Sequence, residues 1–384
     1  MRNEMKSTFG GKVAIVHDYL TKLGGAEKVL QVIHSIYPDA PIYTLLYDEA
    51  GTKKQFSTGY NIRPSRLQKL PNFIRKRSRL LLSKYPQAIE EFDFSEFDVV
   101  ISSSNSFAHG AITRPNTLHI TYCYSPMRYV WDWTHKYMDE NKIGYGLVGM
   151  YVRSLISKLR EWDYYASQRT DEWVAISKTV AKRIKKYYRR DAAVIYPPTD
   201  INELLKNDRK PGDYYLIVSR LTQYKNIDLA INVFNQLKLP LYIIGEGADK
   251  KRLQSLAGET VKFLGWQSDN DRNNYIYGCR AFLFPGEDDF GLTPVEAMAA
   301  GRPVIAYHAG GATETVIEGK TGEFFDDFAT IEPLKKTIIR FEKECSKYKT
   351  TDCKDQAKKF SEEVFTERFK KFVNEKYEEF EKKL

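Results

Sequence analysis

Cysteine is scarce in this 384-residue chain, and the few present form no pattern. Cys123, Cys279, Cys345 and Cys353 are scattered and match no metal-ligand spacing. Free thiols in a reducing compartment are the simplest account. No apolar run near Met1 is long enough for a secretory signal, and no stretch is long enough to span a bilayer. These absences lead us to expect a cytoplasmic protein. No G-x-G-x-x-G follows an early strand, which weighs against a nucleotide-dependent oxidoreductase. The one D-x-D triplet, Asp269-Asn270-Asp271, precedes a helical segment and reads as a helix cap rather than a metal site. Neither a metal nor another cofactor is expected.

What the chain has in excess is positive charge. Its 59 Lys and Arg outnumber 50 Asp and Glu, for a formal net charge of +9. Such a surface favours anionic partners: nucleotides, phospholipid head groups or nucleic acid. At 384 residues the chain also exceeds one ordinary hydrophobic core, so two domains are expected.

The pattern along the chain agrees with two domains of one class. Lys12 to His17 is a buried strand by its β-branched run, and a helix follows from Ala26 to about Tyr37. Strand signals recur at 42–46, 98–101, 119–122, 172–176 and 193–196, with helical patterns between several of them. Pro197-Pro198 and the charged stretch KNDRKPGD break the alternation as a linker should. It then restarts, with strands at 214–219, 241–245, 261–264, 281–284 and 303–307. Helices are expected to begin near Asn226, Ala248, Asp271 and Pro294. The fold class is therefore α/β, with doubly wound parallel sheets. We expect domains at 1–197 and 198–360, and a last helix, 361–384, that returns to the first domain.

The stretch FPGEDDFGLTPVEAMAAGRPVI, from Phe284 to Ile305, is the densest in chemistry. Asp288 lies in the loop at the carboxyl end of a strand, where open α/β sheets bind ligands. Glu296, eight positions on, lies in the helix that follows. Carboxylates so placed can each accept hydroxyl hydrogen bonds from a sugar or a ribose. A purely local account competes with this. Thr293 and Glu296 spell a capping box, Pro294 suits the first helical position, and Gly301 reads as the stop. The acidic run before the helix favours a ligand, because capping does not require it.

Other candidates sit at strand ends. Arg220 and Lys225, in SRLTQYKN, put two cations beside a helix start, where either a diphosphate fits or they are simply surface cations. Gly245-Glu246-Gly247 and Gly310-Gly311 allow close backbone approach. Gly24-Gly25 enters the first helix and either admits a phosphate or merely turns the chain. His109, in SSSNSFAH, is the candidate acid/base group of the first half, with His17 and His119 as competitors. The aromatic segment from Tyr124 to Trp133 can stack on sugar rings or fill a core. The basic, amphipathic insert from Asn61 to Tyr85 suits an anionic membrane surface or a solvated face over a core. The run KRIKKYYRR, Lys182 to Arg190, suits nucleic acid or, more commonly, a charged helix end.

Taken together, Gly24-Gly25, Arg220 with Lys225, Asp288-Asp289-Phe290-Gly291 and Glu296-Ala297-Met298-Ala299-Ala300-Gly301 resemble retaining glycosyltransferases of the GT-B fold, glycosyltransferase family 4. The resemblance spans residues 13–322. The segment SPMRYVWD is similar to that of bacterial members that act as mannosyltransferases in polysaccharide assembly. The resemblance implies two doubly wound Rossmann-like domains facing across a cleft. It implies transfer of a hexose, with retention and without a metal, from a nucleoside-diphosphate sugar to a glycan or lipid-linked glycan. GDP-mannose is the first donor expected and a UDP-sugar the second.

Residue by residue, the resemblance makes Arg220 and Lys225 the diphosphate pair and Glu296 the ribose-binding carboxylate. Asp288 stands where the family usually has the sugar-contacting Glu, one methylene shorter, with Glu287 nearby but out of register. Gly24, Gly25, Gly245, Glu246, Phe290, Gly291 and Leu292 complete the expected donor-binding set. His109 is the candidate for the family's first-domain histidine, with Ser103 or Ser104 near the familiar place. The expected location is cytoplasmic, on the inner face of an anionic membrane. No nucleic acid is expected, although a basic nucleic-acid-binding protein is the reading from another class that competes with this one.

Overall fold

The computed structural model describes residues 10–140, 143–144 and 146–384. The chain divides into two compact units. The first comprises residues up to Tyr196 together with Phe365–Leu384, and the second is Pro197–Val364. Among the described residues each unit holds one parallel sheet.

The first sheet contains β1 (Val13–His17), β2 (Ile42–Thr44), β3 (Ile62–Pro64), β4 (Val99–Ser104), β5 (Leu118–Cys123), β6 (Glu172–Ala175) and β7 (Ala193–Val194). Their order is β3-β2-β1-β4-β5-β6-β7. The second contains β8 (Tyr215–Val218), β9 (Leu241–Ile244), β10 (Val261–Gly265), β11 (Ala281–Phe284), β12 (Val304–Tyr307) and β13 (Gly322–Phe325). Its order is β10-β9-β8-β11-β12-β13. Strands β1, β4, β5 and β11 are buried at every position. Helices on both faces of a parallel sheet demand this, and β-branched and aromatic side chains satisfy it. Strand order reverses between β1 and β4 in one sheet and between β8 and β11 in the other. At such a switch, loops diverge to opposite faces and leave a crevice at the carboxyl edge.

Each unit has its own core. Tyr85, Phe94, Phe107 and Ile89 are buried in the first; Tyr215, Phe234, Leu283 and Phe341 in the second. The last helix, Glu362–Glu381, places Phe365 and Phe369 edge-on to Tyr122 of β5 at 5.6 and 5.9 Å. No helix among the described residues is long and apolar enough to cross a membrane.

Two strands and a long helix are not apparent in the sequence. β3 is a three-residue edge strand ending in proline, too short and polar to show a pattern. β13 buries Glu323, whose carboxylate is held by Tyr348 and Arg340 across the sheet face, so a charged letter hides a core position. The helix Leu147–Ser167 exposes Leu147, Val148, Met150 and Tyr151 in its first turns, which blurs its periodicity. The stretch read as a linker is tied into the second unit. It contains the helical turn Asn202–Leu205, and Asn207 Nδ2 donates to the Ala300 carbonyl at 2.8 Å. The basic insert is broken into β3 and the short turns 66–69, 72–75, 78–81 and 85–90, not one amphipathic helix.

Candidate functional site

The cations after β8 and the carboxylates after β11 flank the strand-order switch of the second sheet. β8 and β11 are adjacent, with Ala281 opposite Tyr215 and Phe282 opposite Leu216. Their outgoing loops therefore emerge side by side. Arg220 follows β8, is exposed, and forms no ion pair among the described residues. Lys225 ends the turn Gln223–Lys225, and its ammonium donates to both carboxylate oxygens of Asp288, at 2.5 Å to Oδ1. Lys225 also lies 5.6 Å from the Phe284 ring centroid. Sequence reasoning assigned these two residues to different parts of a ligand; the structure joins them as an ion pair.

The Asp288 loop is held from a third side. Gly311, after β12, donates its N–H to the Asp288 carbonyl at 2.9 Å. A side chain at Gly311 would bring its Cβ within 2.2 Å of Phe290 Cα, so only glycine permits this approach. Thus Gly310-Gly311 approaches the Asp288–Phe290 backbone. Phe290 is buried against Phe360 at 5.6 Å. Gly291, at φ +85°, turns the chain into the helix Leu292–Ala299. Gly245 and Glu246 belong to the neighbouring loop: Gly245 N–H donates to the Gly265 carbonyl at 2.9 Å, and Leu221 N–H to the Glu246 carbonyl at 3.0 Å. The Glu246 side chain pairs with Lys250 at 2.7 Å.

Glu296 is not the cap its local spelling suggests. The helix begins at Leu292 after Gly291, with no side-chain cap, and Glu296 is its fifth residue. Pro294 is accordingly third rather than first. The stop is as expected: the helix ends at Ala299, and Gly301, at φ +77°, donates to the Met298 carbonyl at 2.8 Å. Glu296 is 8% exposed. Its Oε1 lies 3.6 Å from Arg272 Nη2, and its Oε2 has no hydrogen-bond partner among the described residues. A buried carboxylate oxygen left without a donor costs roughly 1–3 kcal/mol, and a ligand hydroxyl would relieve that cost. Arg272 was missed from sequence because it lies in another helix, Asp269–Gly278. That helix accounts for the D-x-D triplet, since Ser268 Oγ accepts from Asp271 N–H at 3.1 Å and caps it.

In the first unit, His109 does not occupy an open site. It is 2% exposed, with its Nε2 3.2 Å from Asp163 Oδ1 and its ring among Trp162, Trp173 and Tyr188. Asp163 also accepts from Trp131 Nε1 at 2.7 Å and Tyr188 Oη at 2.8 Å. This is a packed polar cluster, and the structure does not bring His109 to an open surface. His119 is enclosed as well. Burial, with the nearby His109 acting in the same direction, pushes its pKa down to about 3, so it is neutral.

The histidine at the sheet edge is His17, at the end of β1. Its Nδ1 lies 2.9 Å from Ser103 Oγ, which lies 2.8 Å from Tyr124 Oη; that phenol donates to the Ala26 carbonyl at 3.0 Å. His17 Nε2 is 3.8 Å from Glu27 Oε1. Burial pushes the Tyr124 phenol up, against the opposing Ser103 hydrogen bond. Gly24 and Gly25 stand beside this chain, Gly24 preceding the helix Gly25–Ile36. β1 and β4 pair His17 with Ser103, and that pairing is what sequence reading could not supply. The tyrosines of the basic run are not displayed for a nucleic acid: Tyr188 is buried and Tyr187 stacks on Trp131 at 4.9 Å.

Comparison with known proteins bears on this arrangement. Residues 199–360 match the family described as Glycosyl transferases group 1. The chain is similar to the uncharacterized glycosyltransferase MJ1178 of Methanocaldococcus jannaschii, 27% identical over 48% of this chain and 56% of the relative. It is similar to the human alpha-1,3/1,6-mannosyltransferase ALG2, 28% identical over 48% of this chain and 52% of the relative. The chain thus spans about half the length of these curated relatives. The crystal structure of Anabaena Alr3699/HepE in complex with UDP superposes with a TM-score of 0.69 at 17% identity, covering 95% of this chain and all (100%) of that one.

Proposed function

We propose, on the premise that residues 199–360 are a glycosyl transferases group 1 domain within a GT-B fold, that this protein moves a hexose from a nucleoside-diphosphate sugar to a glycan or lipid-linked glycan. The observation that carries this reading is the unpartnered, buried Oε2 of Glu296, in the helix that leaves β11 at the switch point. A ribose hydroxyl is the donor it lacks. Asp288, in the loop between β11 and that helix, is proposed to address the transferred sugar.

The chemistry follows from charge. Cleaving the anomeric bond leaves a nucleoside diphosphate, and its developing negative charge must be met. Arg220 is an exposed fork, and Lys225 is a point charge held by Asp288. Donor binding would let a phosphate oxygen replace or share the Asp288 contact. Asp288 would then be released toward the sugar as Lys225 turns to the diphosphate. The N-terminus of the Leu292–Ala299 helix adds a partial positive charge at the same edge. Fixed cations in these positions perform the task a metal performs elsewhere, so transfer is proposed to be metal-independent. Retention at the anomeric carbon is part of the proposal.

The mannosyltransferase among the relatives supports mannose, with GDP-mannose the first donor to try. The UDP complex of the structural neighbour supports a UDP-sugar as the second. We place the enzyme in the cytoplasm, working on an acceptor at an anionic membrane surface. The test is a screen of nucleotide sugars for nucleotide release, with and without glycan and lipid-linked acceptors. Acceptor-dependent release from one donor class is expected. A purified protein that releases nucleotide from no sugar donor with any acceptor would overturn the reading.

A further inference from the structure

The carboxyl edge of the first sheet holds a cavity of about 470 Å³ that the donor chemistry does not use. That volume lies in the range of ordinary small-molecule sites, roughly 300–1,000 Å³. The cavity belongs wholly to the first unit and spans its strand-order switch. Tyr19 and Lys22 come from the loop after β1, Tyr47 and Asp48 from the loop after β2, and Ser106 from the loop after β4.

The loops that line it are tied together by a buried carboxylate outside the lining. Asp18, 2% exposed, accepts four backbone N–H groups: Asn105 at 2.6 Å and Ser106 at 3.0 Å on Oδ2, Phe107 and Ala108 both at 2.7 Å on Oδ1. One carboxylate therefore locks the β4 loop onto the β1 loop that carries Tyr19.

Two features define what the cavity can take. Five tyrosines, Tyr19, Tyr47, Tyr85, Tyr129 and Tyr137, line it. Tyr19 meets Tyr85 edge-on at 5.2 Å, and Tyr129 lies 5.7 Å from Tyr137. Such faces suit a sugar ring or an unsaturated hydrocarbon chain. The second feature is charge. Lys22, Arg75 and Lys76 line the cavity against a single carboxylate, Asp48. Among the described residues none of these three cations forms an ion pair. Arg75 uses Nε on the Leu70 carbonyl at 3.1 Å, which aims the guanidinium without neutralising it. Asp48 accepts from the Gly51 N–H at 3.2 Å. Lys22 and Lys76 are exposed and Arg75 is half-buried, so the three charges stand at the solvent side of the aromatic walls, where a neutral ligand would gain nothing from them. An anion with several acceptor oxygens answers all three, with arginine as the fork.

We infer that this cavity binds the phosphorylated end of the acceptor: a phosphate ester whose sugar or hydrocarbon portion lies on the tyrosines while Lys22, Arg75 and Lys76 hold the phosphate. The inference rests on the transferase reading and narrows its acceptor class. The phosphate is carried either by a soluble sugar phosphate or by a lipid phosphate, and the test separates them.

The full chain is titrated by calorimetry with glucose 6-phosphate against glucose, and with farnesyl phosphate against farnesol in detergent. GDP and UDP are titrated into the same samples. At least tenfold tighter binding of one phosphate ester than of its neutral counterpart is expected, identifying the source by the arm in which it occurs. The R75E/K76E variant, and separately R75Q/K76Q with an unchanged melting temperature, should lose that preference while nucleotide binding stays within twofold of wild type. Equal binding of phosphate and neutral forms, binding of neither, or full retention in the folded glutamine variant would each overturn the inference. Nucleotide binding without phosphate-ester binding leaves the transferase reading standing and defeats only this one. Failure to bind any nucleotide strikes at the transferase reading itself.

Discussion

At the scale of single residues, the site is set by which charges are already matched. Lys225 is engaged by Asp288, whereas among the described residues one carboxylate oxygen of Glu296 has no donor. Removing the acid from the first pair should release the ammonium. Asp288→Asn is therefore expected to bind free nucleoside diphosphate several-fold tighter in calorimetry while turning over donor sugar at least tenfold more slowly. Weaker nucleotide binding would show that Asp288 does not restrain Lys225. Lys225→Ala and Glu296→Ala are each expected to lower kcat/KM about 100-fold with the fold intact by circular dichroism, in line with about 3 kcal/mol for one preorganised contact. Near-normal turnover in either variant would remove that residue from the site.

His119 carries a different expectation at the same scale. Its pKa falls from an ordinary 6.5 to about 3 on folding, so the unfolded chain binds a proton the native chain refuses. That stability contribution is present above pH 6.5 and is lost progressively as pH drops toward 3. Between pH 6.5 and pH 5 the loss is about 2 kcal/mol. Urea midpoints measured across this window should fall with acidity, and His119→Gln, which keeps a side chain able to hydrogen bond Ser102, whose Oγ lies 2.8 Å from His119 Nε2, should flatten the slope. An unchanged slope would mean that another group governs it.

At the scale of elements, what matters is loops that interlock at a sheet edge. The loop after β12 can reach the Asp288 backbone only because Gly311 has no side chain, its Cβ position lying 2.2 Å from Phe290 Cα. Gly311→Ala must push the two loops apart. We expect transfer to fall at least tenfold and the second unit to lose roughly 1–3 kcal/mol, the usual range for overpacking. Hydrogen exchange of the 286–292 amides would report it, and unaltered protection there would contradict the assignment. The helix Leu292–Ala299 carries the complementary lesson. Its spelling offers a capping box, but the left-handed turn at Gly291 starts the helix before Thr293 and sends Glu296 inward.

At the scale of the whole molecule, two cores coexist in one chain, and the charged groups proposed to hold the donor, Arg220, Lys225, Asp288 and Glu296, belong to the second. A ligand stabilises what it binds by mass action, about 2.7 kcal/mol at a hundredfold excess over Kd. Saturating GDP or UDP should therefore protect amides of 219–226 and 286–296 far more than those of β1–β7. Protection concentrated in the first sheet would place the nucleotide elsewhere. The net charge of +9 adds a further dependence: association with an anionic acceptor or surface should weaken steeply as salt rises.

The amino-acid sequence by itself determined the parallel α/β class, most of the strands, and the candidate residues proposed for diphosphate and ribose chemistry. These features were readable because strand runs, glycine turns and acidic or basic clusters act over a few neighbouring positions. Tertiary structure alone decided the pairings. Lys225 meets Asp288 across 63 residues because β8 and β11, far apart in the chain, are neighbours in the sheet. His17 meets Ser103 across 86 residues for the same reason at β1 and β4. His109 lies in a buried aromatic cluster and Arg272 lies beside Glu296, because burial and charge pairing depend on which surfaces the packed helices present to each other. No window of local sequence contains that information.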